Sequence, residues 1–205
     1  MADHEMLTTI DGPTLAAAFP VEHRASATLA GTDVARRLAP RQWTERFAVQ
    51  VGRETVLIPA RLHLASHRPS LAEDVDAWLF ARALQTRSND GYERQRALRD
   101  LLADAQPWTA PFIVALIGEY IVEILDDISA AMTPEIEQAI GTFIVHNPDY
   151  WNTIKRRVTS YWNVYYRARW LGGPNRAERR DEYVGFRLTQ QIELAAHRCV
   201  PTADK

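Results

Sequence analysis

The chain has 205 residues, of which 46% are hydrophobic and 24% charged, and its formal net charge is −2. This composition is typical of a globular protein with a substantial core and excludes an extensively disordered chain. A nearly neutral chain has no overall positive field, so a function on nucleic acid or on an acidic membrane would need a local basic patch. The single cysteine, Cys199, cannot form an internal disulfide, and the first residues lack the basic and apolar segments of a secretion signal, so a cytoplasmic protein is expected. No cofactor is expected.

The N-terminal third, residues 1–69, is expected to be a loosely helical lead-in followed by one β-hairpin. Glycine and proline punctuate its first forty residues. Phe47, Val49 and Val51 then alternate with smaller or polar residues, and a turn-like glycine and a β-branched run at 55–58 follow. Alternation of this kind is typical of a half-buried strand, and the sequence predicts a β-hairpin over about 46–64.

Residues 70–198 show helical periodicity and regular helix-start signals. Ser70 is followed three residues later by Glu73, the spacing of a capping box, and Thr133 precedes a proline and two acidic residues. Connections between the predicted helices are short, which forces successive helices to pack side by side. We therefore expect a mainly α protein, an antiparallel multi-helix stack that is either α-solenoid-like or a bundle, with all of residues 1–205 in a single domain.

The longest apolar run, Pro107 to Met132, predicts a central helix over 109–131 that neighbours cover on most sides. Acidic residues interrupt this run before it reaches the length of a membrane span, so no membrane association is expected. Read as one helix, it carries an acidic stripe of Glu119, Glu123 and Asp126 on a single face, with Asp127 one step round from Asp126.

Two interpretations of the acidic stripe are open. Carboxylates one helical turn apart can bind a divalent cation or share a proton, which would make the stripe a metal or catalytic site. Alternatively, the arginines of the preceding helix neutralise it, and structural ion pairs of this kind are common. These candidate partners are Arg94, Arg96 and Arg99.

The predicted helix over 149–171 interleaves aromatic and basic residues. Single-stranded nucleic acid is bound by surfaces that combine stacking rings with cations, so this helix is a candidate nucleic-acid interface. The spacing of Trp151, Ile154, Val158, Trp162 and Tyr165 instead predicts a buried stripe with a solvated basic rim, which a partner protein could also contact. The residues of this candidate binding surface are Lys155, Arg156, Arg157, Tyr166, Arg169 and Trp170.

One short segment resembles a known family. Asp90, Arg94 and Ala97 match the start of the second helix of a HEAT-type repeat, in which an acid opens the helix, an arginine follows and a small residue permits close packing. The match covers one helical pair, and Glu93 stands where the family has an apolar residue. The resemblance implies solenoid-like packing and a function in binding macromolecules.

The sequence contains no Gly-x-Gly-x-x-Gly, Walker, Gly-x-Ser-x-Gly or Cys-x-x-Cys motif. The leading hypothesis is therefore a non-enzymatic cytoplasmic interaction or scaffold protein that binds a protein partner or a second copy of itself. Nucleic-acid binding through 149–171 is the first alternative, and an enzyme or metal site on the acidic stripe is the second.

Overall fold

The computed structural model describes residues 4–7 by their backbone, and residues 10–40, 43–65, 71, 74–167 and 179–199 in full. The chain is mainly helical with one small antiparallel sheet, as the sequence predicts. The strands are β1 (His4–Leu7), β2 (Thr44–Val51) and β3 (Glu54–Pro59). The helices are α1 (Gly12–Ala16), α2 (Arg24–Arg36), α3 (Val75–Gln85), α4 (Gly91–Ala103), α5 (Ala110–Ile117), α6 (Val122–Ala130), α7 (Pro134–His146), α8 (Pro148–Tyr161) and α9 (Val184–Cys199). Short 3-10 turns cover Val21–His23 and Pro107–Thr109, and a π-helical turn covers Trp162–Tyr166.

The chain divides into two compact units. Unit 1 contains Met1–Phe112 and unit 2 contains Ile113–Lys205, so the boundary falls inside α5. The sequence predicts a change from an N-terminal lead-in to a helical core near residue 70. The boundary between the compact units does not fall at that position. A single domain over the whole chain stays a prediction.

The sheet of unit 1 confirms the predicted hairpin. Strands β2 and β3 pair from Val51↔Glu54 to Arg46↔Pro59, and a two-residue turn at Gly52 and Arg53 joins them. Gly52 has a φ of 60°, a left-handed conformation that glycine adopts without the steric cost of a Cβ. Strand β1, which sequence patterning did not predict, pairs with the other edge of β2.

The helices of unit 1 begin at side-chain caps. Asp90 accepts a hydrogen bond from the backbone N–H of Glu93 at 3.0 Å, and this bond opens α4 where the sequence predicts a break. Helix α3 begins later than expected, because its cap is Asp74, which accepts from the N–H of Ala77 at 2.8 Å. The predicted cap, Ser70, lies outside the described residues.

Buried charged groups connect the helices of unit 1. The Arg82 guanidinium lies 2.8 Å from the Glu93 carboxylate and 2.6 Å from that of Asp100, which ties α3 to α4. Arg37 lies 2.7 Å from Asp33 on α2; burial lowers the pKa of Arg37, and the charge of Asp33 opposes that shift. Because a charge buried without a partner is costly, the contacts of Arg82 are expected to hold α3 and α4 in one arrangement, whereas the pair of Asp33 and Arg37 lies within the C-terminal turn of α2.

Unit 2 packs α7 and α6 against α9, with α8 beside them. Gly141 on α7 permits the closest approach, since a Cβ at this position would lie 3.0 Å from the Ala195 backbone carbon of α9. Ile154 and Val158 of the predicted buried stripe are buried here, together with Ile140, Ile144, Leu188 and Ile192 of α7 and α9.

The prediction of one continuous helix over 109–131 is wrong. Helix α5 ends at Ile117, and α6 begins at Val122 after a break at 118–121. A Cβ at Gly118 would lie 3.3 Å from the side chains of Ile154 and Arg157, so α8 crosses the chain at the one glycine of this run, a residue of low helix propensity. Within the described residues, no helix is long and apolar enough to cross a membrane.

Replacement of Glu93 tests the buried ion pairs. Glu93 has a side-chain exposure of 3%, and its loss leaves Arg82 buried with one carboxylate fewer, so Glu93→Ala is expected to lower the free energy of unfolding by about 3 kcal/mol. The matched control is Asp100→Ala, which removes the other contact of Arg82 from a carboxylate that is 34% exposed and is expected to cost about 1 kcal/mol. Urea unfolding of both variants measures the difference. Equal losses in the free energy of unfolding would contradict the conclusion that the buried pair of Arg82 and Glu93 stabilises the unit more than the exposed one.

Candidate functional site

The most distinctive surface of unit 2 is a tyrosine cluster formed by Tyr120, Tyr161 and Tyr165. Their ring centroids lie 5.5–6.1 Å apart: Tyr120 to Tyr165 is 5.5 Å, Tyr120 to Tyr161 is 5.7 Å and Tyr161 to Tyr165 is 6.1 Å. Tyr120 is 45% exposed and Tyr165 is 50% exposed, and the neighbouring Val164 is 65% exposed. Within the described part of the chain, the three hydroxyls have no hydrogen-bond partner. Among the described residues, the cluster therefore presents the rings of Tyr120 and Tyr165 to solvent, with the half-buried ring of Tyr161 beside them.

The tyrosine cluster depends on the break between α5 and α6. Residues 118–121 are not helical, and the carbonyl of Tyr120 is free to accept a hydrogen bond from a side chain. The Tyr166 hydroxyl donates to this carbonyl at 2.6 Å. Tyr166 is 6% exposed, and its ring stacks on that of the fully buried Tyr183 at 4.8 Å. Tyr120 is thereby anchored to the core by its backbone, while its ring faces outward.

The π-helical turn decides which tyrosine faces outward. Its hydrogen bond runs from the N–H of Arg167 to the carbonyl of Trp162 at 2.8 Å, five residues apart, so one extra residue is accommodated. With α-helical spacing, the buried stripe of α8 would continue to Tyr165, and Tyr165 was therefore expected in the core. The extra residue places Tyr166 there instead and leaves Tyr165 exposed. The expected burial of Tyr165 is wrong for this reason.

The predicted basic surface is divided among different neighbours. Lys155 lies 2.8 Å from Glu193 of α9, and Arg156 donates to the hydroxyl of Thr153 at 2.9 Å. The stem of Arg157 lies against Gly118, on the side of the α5–α6 break. Tyr166 is buried. These four residues do not share one exposed face, and Arg169 and Trp170 lie outside the described residues.

The acidic stripe is also divided, because its residues do not lie on one helix. Glu119 falls in the break and is 4% exposed, whereas Glu123 and Asp126 are exposed on α6 and Asp127 is half-buried. The expected single acidic face is therefore wrong. Within the described residues, no group of three or more His, Cys, Asp or Glu side chains is placed to hold a metal ion.

The arginines that were expected to neutralise the stripe have contacts in unit 1. Arg94 is buried and donates to the carbonyls of Ser88 at 2.9 Å and Asn89 at 3.1 Å. Arg96 lies 2.8 Å from Glu93 of its own helix, and the hydrogen bond to Glu93 raises the pKa of Arg96. Arg99 is exposed on α4. Pairing between these arginines and the acidic residues of unit 2 stays a prediction.

Comparisons with known proteins add no relative. No protein-family model, no curated protein and no solved structure matches the chain. The function has to be inferred from the arrangement of the residues themselves.

A hydroxyl deletion tests the anchor of the tyrosine cluster. Tyr166→Phe removes the bond to the Tyr120 carbonyl and leaves that carbonyl without this donor, so the free energy of unfolding is expected to fall by about 1–2 kcal/mol. Tyr161→Phe removes a hydroxyl that has no partner in the described residues and is the matched control, with an expected change near zero. Equal urea midpoints for the two variants would show that the bond does not stabilise the unit.

Proposed function

We propose that the protein is a non-enzymatic cytoplasmic interaction or scaffold protein that binds a partner protein through the tyrosine cluster. The observation that carries this proposal is the mutual contact of Tyr120, Tyr161 and Tyr165 at the surface, with two of the rings about half exposed. Contiguous exposed apolar groups mark interaction sites, and tyrosine is among the residues that contribute most binding free energy at protein interfaces.

The restraint on the rings favours tight binding. Tyrosine has only two side-chain torsions, so it loses little conformational entropy when a partner covers it. The rings of the cluster already contact one another, and the backbone of Tyr120 is anchored through Tyr166. Part of the ordering cost of association is therefore already met in the free protein.

Ring spacing favours a protein over single-stranded nucleic acid. A base held between two rings needs centroids about 7 Å apart, since each face requires a contact of about 3.5 Å. The rings of the cluster are 5.5–6.1 Å apart and tilted against one another, so no base fits between them. A basic side chain nearby already has partners within the protein. Arg167 lies over the ring of Trp162 and donates a hydrogen bond to Asn163.

The resemblance to HEAT-type repeats is part of the same proposal. Asp90 caps α4, Arg94 is buried behind it, and Ala97 is fully buried. These positions support a helical interaction protein without specifying the partner.

A variant series tests the proposed interface. The full chain is immobilised, and proteins retained from a lysate of its native cells are quantified by mass spectrometry for the parent and for the double variant Tyr161→Ala, Tyr165→Ala. The control is Tyr92→Ala, because Tyr92 is 78% exposed and has no ring neighbour in the described residues. The partner that the double variant loses is then purified, and its Kd is expected to rise about 10- to 100-fold in the double variant and not in the control. Identical sets of retained proteins would contradict the proposal.

Two further arms identify the kind of partner. Size-exclusion chromatography with light scattering detects a second copy of the chain, and a dimer that the double variant dissociates would make the chain its own partner. Fluorescence anisotropy with single-stranded RNA at low salt is expected to show no binding. Salt-dependent RNA binding that Arg156→Ala abolishes would replace the proposal by nucleic-acid binding.

A further inference from the structure

Unit 1 contains a cavity of about 600 Å³ that has no part in the proposed interface. It lies within the size range of small-ligand pockets, which is roughly 300–1,000 Å³. Segments far apart in sequence form its walls: the 3-10 turn at Val21–His23, the β2–β3 turn, the start of α3 and the residues that follow α4.

The inner wall of the cavity is aromatic. The ring centroids of Phe80 and Trp108 lie 4.5 Å apart, and the ring of His23 lies 5.2 Å from Phe80 and 6.2 Å from Trp108. Phe80 and Trp108 are largely buried, whereas His23 has a side-chain exposure of 33%. Phe19 and Phe112 lie behind the wall, with the Phe19 ring 4.7 Å from Phe80 and 5.4 Å from Phe112. The wall is therefore fixed by the core of unit 1.

Negative charge surrounds this wall. Four carboxylates line the cavity, and one guanidinium, that of Arg53, stands with them, which leaves a formal charge of −3 with His23 neutral. The carboxylates are those of Glu22, Glu54, Asp76 and Asp104. Glu54 accepts a hydrogen bond from the N–H of Val21 at 2.7 Å and Asp104 one from the side chain of Gln106 at 3.0 Å, so these two positions are fixed.

We propose that this cavity binds an organic cation, an alkylammonium group. Aromatic rings attract cations through their negative faces, and carboxylates around them add Coulomb attraction. The apolar part of such a cation also gains from contact with Leu79, Phe80 and Trp108, a gain that a small hydrated inorganic ion does not have. The cation is carried either by a small free alkylammonium molecule or by a lysine side chain of another protein.

Calorimetric titration of the full chain tests this assignment. Choline is the probe for a small free alkylammonium molecule, a capped lysine is the side-chain probe, and the neutral analogue of choline, with tert-butyl in place of trimethylammonium, is the charge control. A Kd of about 1 mM or tighter is expected for at least one cation, with at least tenfold weaker binding of the neutral analogue. The tighter of the two cations identifies the source of the group. Absence of heat from both cations at about 10 mM, or equal binding of the neutral analogue, would overturn the proposal.

Substitutions of charged residues that line the cavity, here called rim variants, test whether the cation binds there. Asp76→Asn and Asp104→Asn change exposed residues and are each expected to weaken cation binding about threefold to tenfold, while Arg53→Gln tightens it. Asp126→Asn removes the same charge from an exposed position that does not line the cavity, and it is expected to leave Kd unchanged. Equal weakening by Asp126→Asn, or displacement of choline by magnesium chloride at matched ionic strength, would also overturn the assignment. Circular dichroism of each variant confirms that it is folded.

Discussion

The hydrogen bond from the Tyr166 hydroxyl to the Tyr120 carbonyl is the interaction on which the surface of unit 2 depends. A helix that stops inside an apolar run leaves carbonyl groups without intrahelical partners, and such groups are costly unless a donor reaches them. Tyr166 supplies that donor only because the π-helical turn rotates it inward. The same rotation turns Tyr165 outward beside Tyr120 and Tyr161. The helix break, the π-helical turn and the exposed rings are thus parts of one arrangement.

The two units satisfy their buried polar groups by different chemistry. Unit 1 uses charged pairs and arginines, such as Arg87, which donates to the carbonyls of Pro59 and Ala60. Unit 2 buries the carboxylate of Glu119 as well, and it also uses neutral groups: the Tyr166 hydroxyl donates to the Tyr120 carbonyl, and the Asn147 amide donates to the Phe143 carbonyl at 2.8 Å. Breaking a buried ion pair costs more than losing a neutral hydrogen bond, because an uncompensated charge stays behind. Loss of the Glu93 carboxylate beside Arg82 is therefore expected to cost more free energy of unfolding than loss of the Tyr166 hydroxyl.

The features that the sequence predicts correctly depend on contacts within a few residues. Thr133 caps α7, and Asp90 caps α4, through bonds that span three residues, and the β2–β3 turn needs only a glycine at Gly52. The mainly helical class and the hairpin follow from such local signals. The break at Gly118 does not, since the residues that make it favourable, Ile154 and Arg157, lie far along the chain. A lone glycine in an apolar run is compatible with a continuous helix, so periodicity alone favours the longer helix.

Neither candidate site could be predicted from periodicity, for a related reason. Helical spacing places Tyr165 in the core, and only the one-residue insertion of the π-helical turn moves it to the surface. The cavity of unit 1 combines Glu22, Arg53, Asp76 and Trp108, which no local pattern connects. The two sites also differ in their coupling to the core. Some of the carboxylates that line the cavity, such as Asp76 and Asp104, are exposed, so they can be replaced without changing the core. The tyrosine cluster is instead bonded to the core through Tyr166. Loss of binding in a rim variant therefore reports on recognition directly, and loss of binding in a cluster variant does so only when Tyr166 and the fold of unit 2 are shown to be intact.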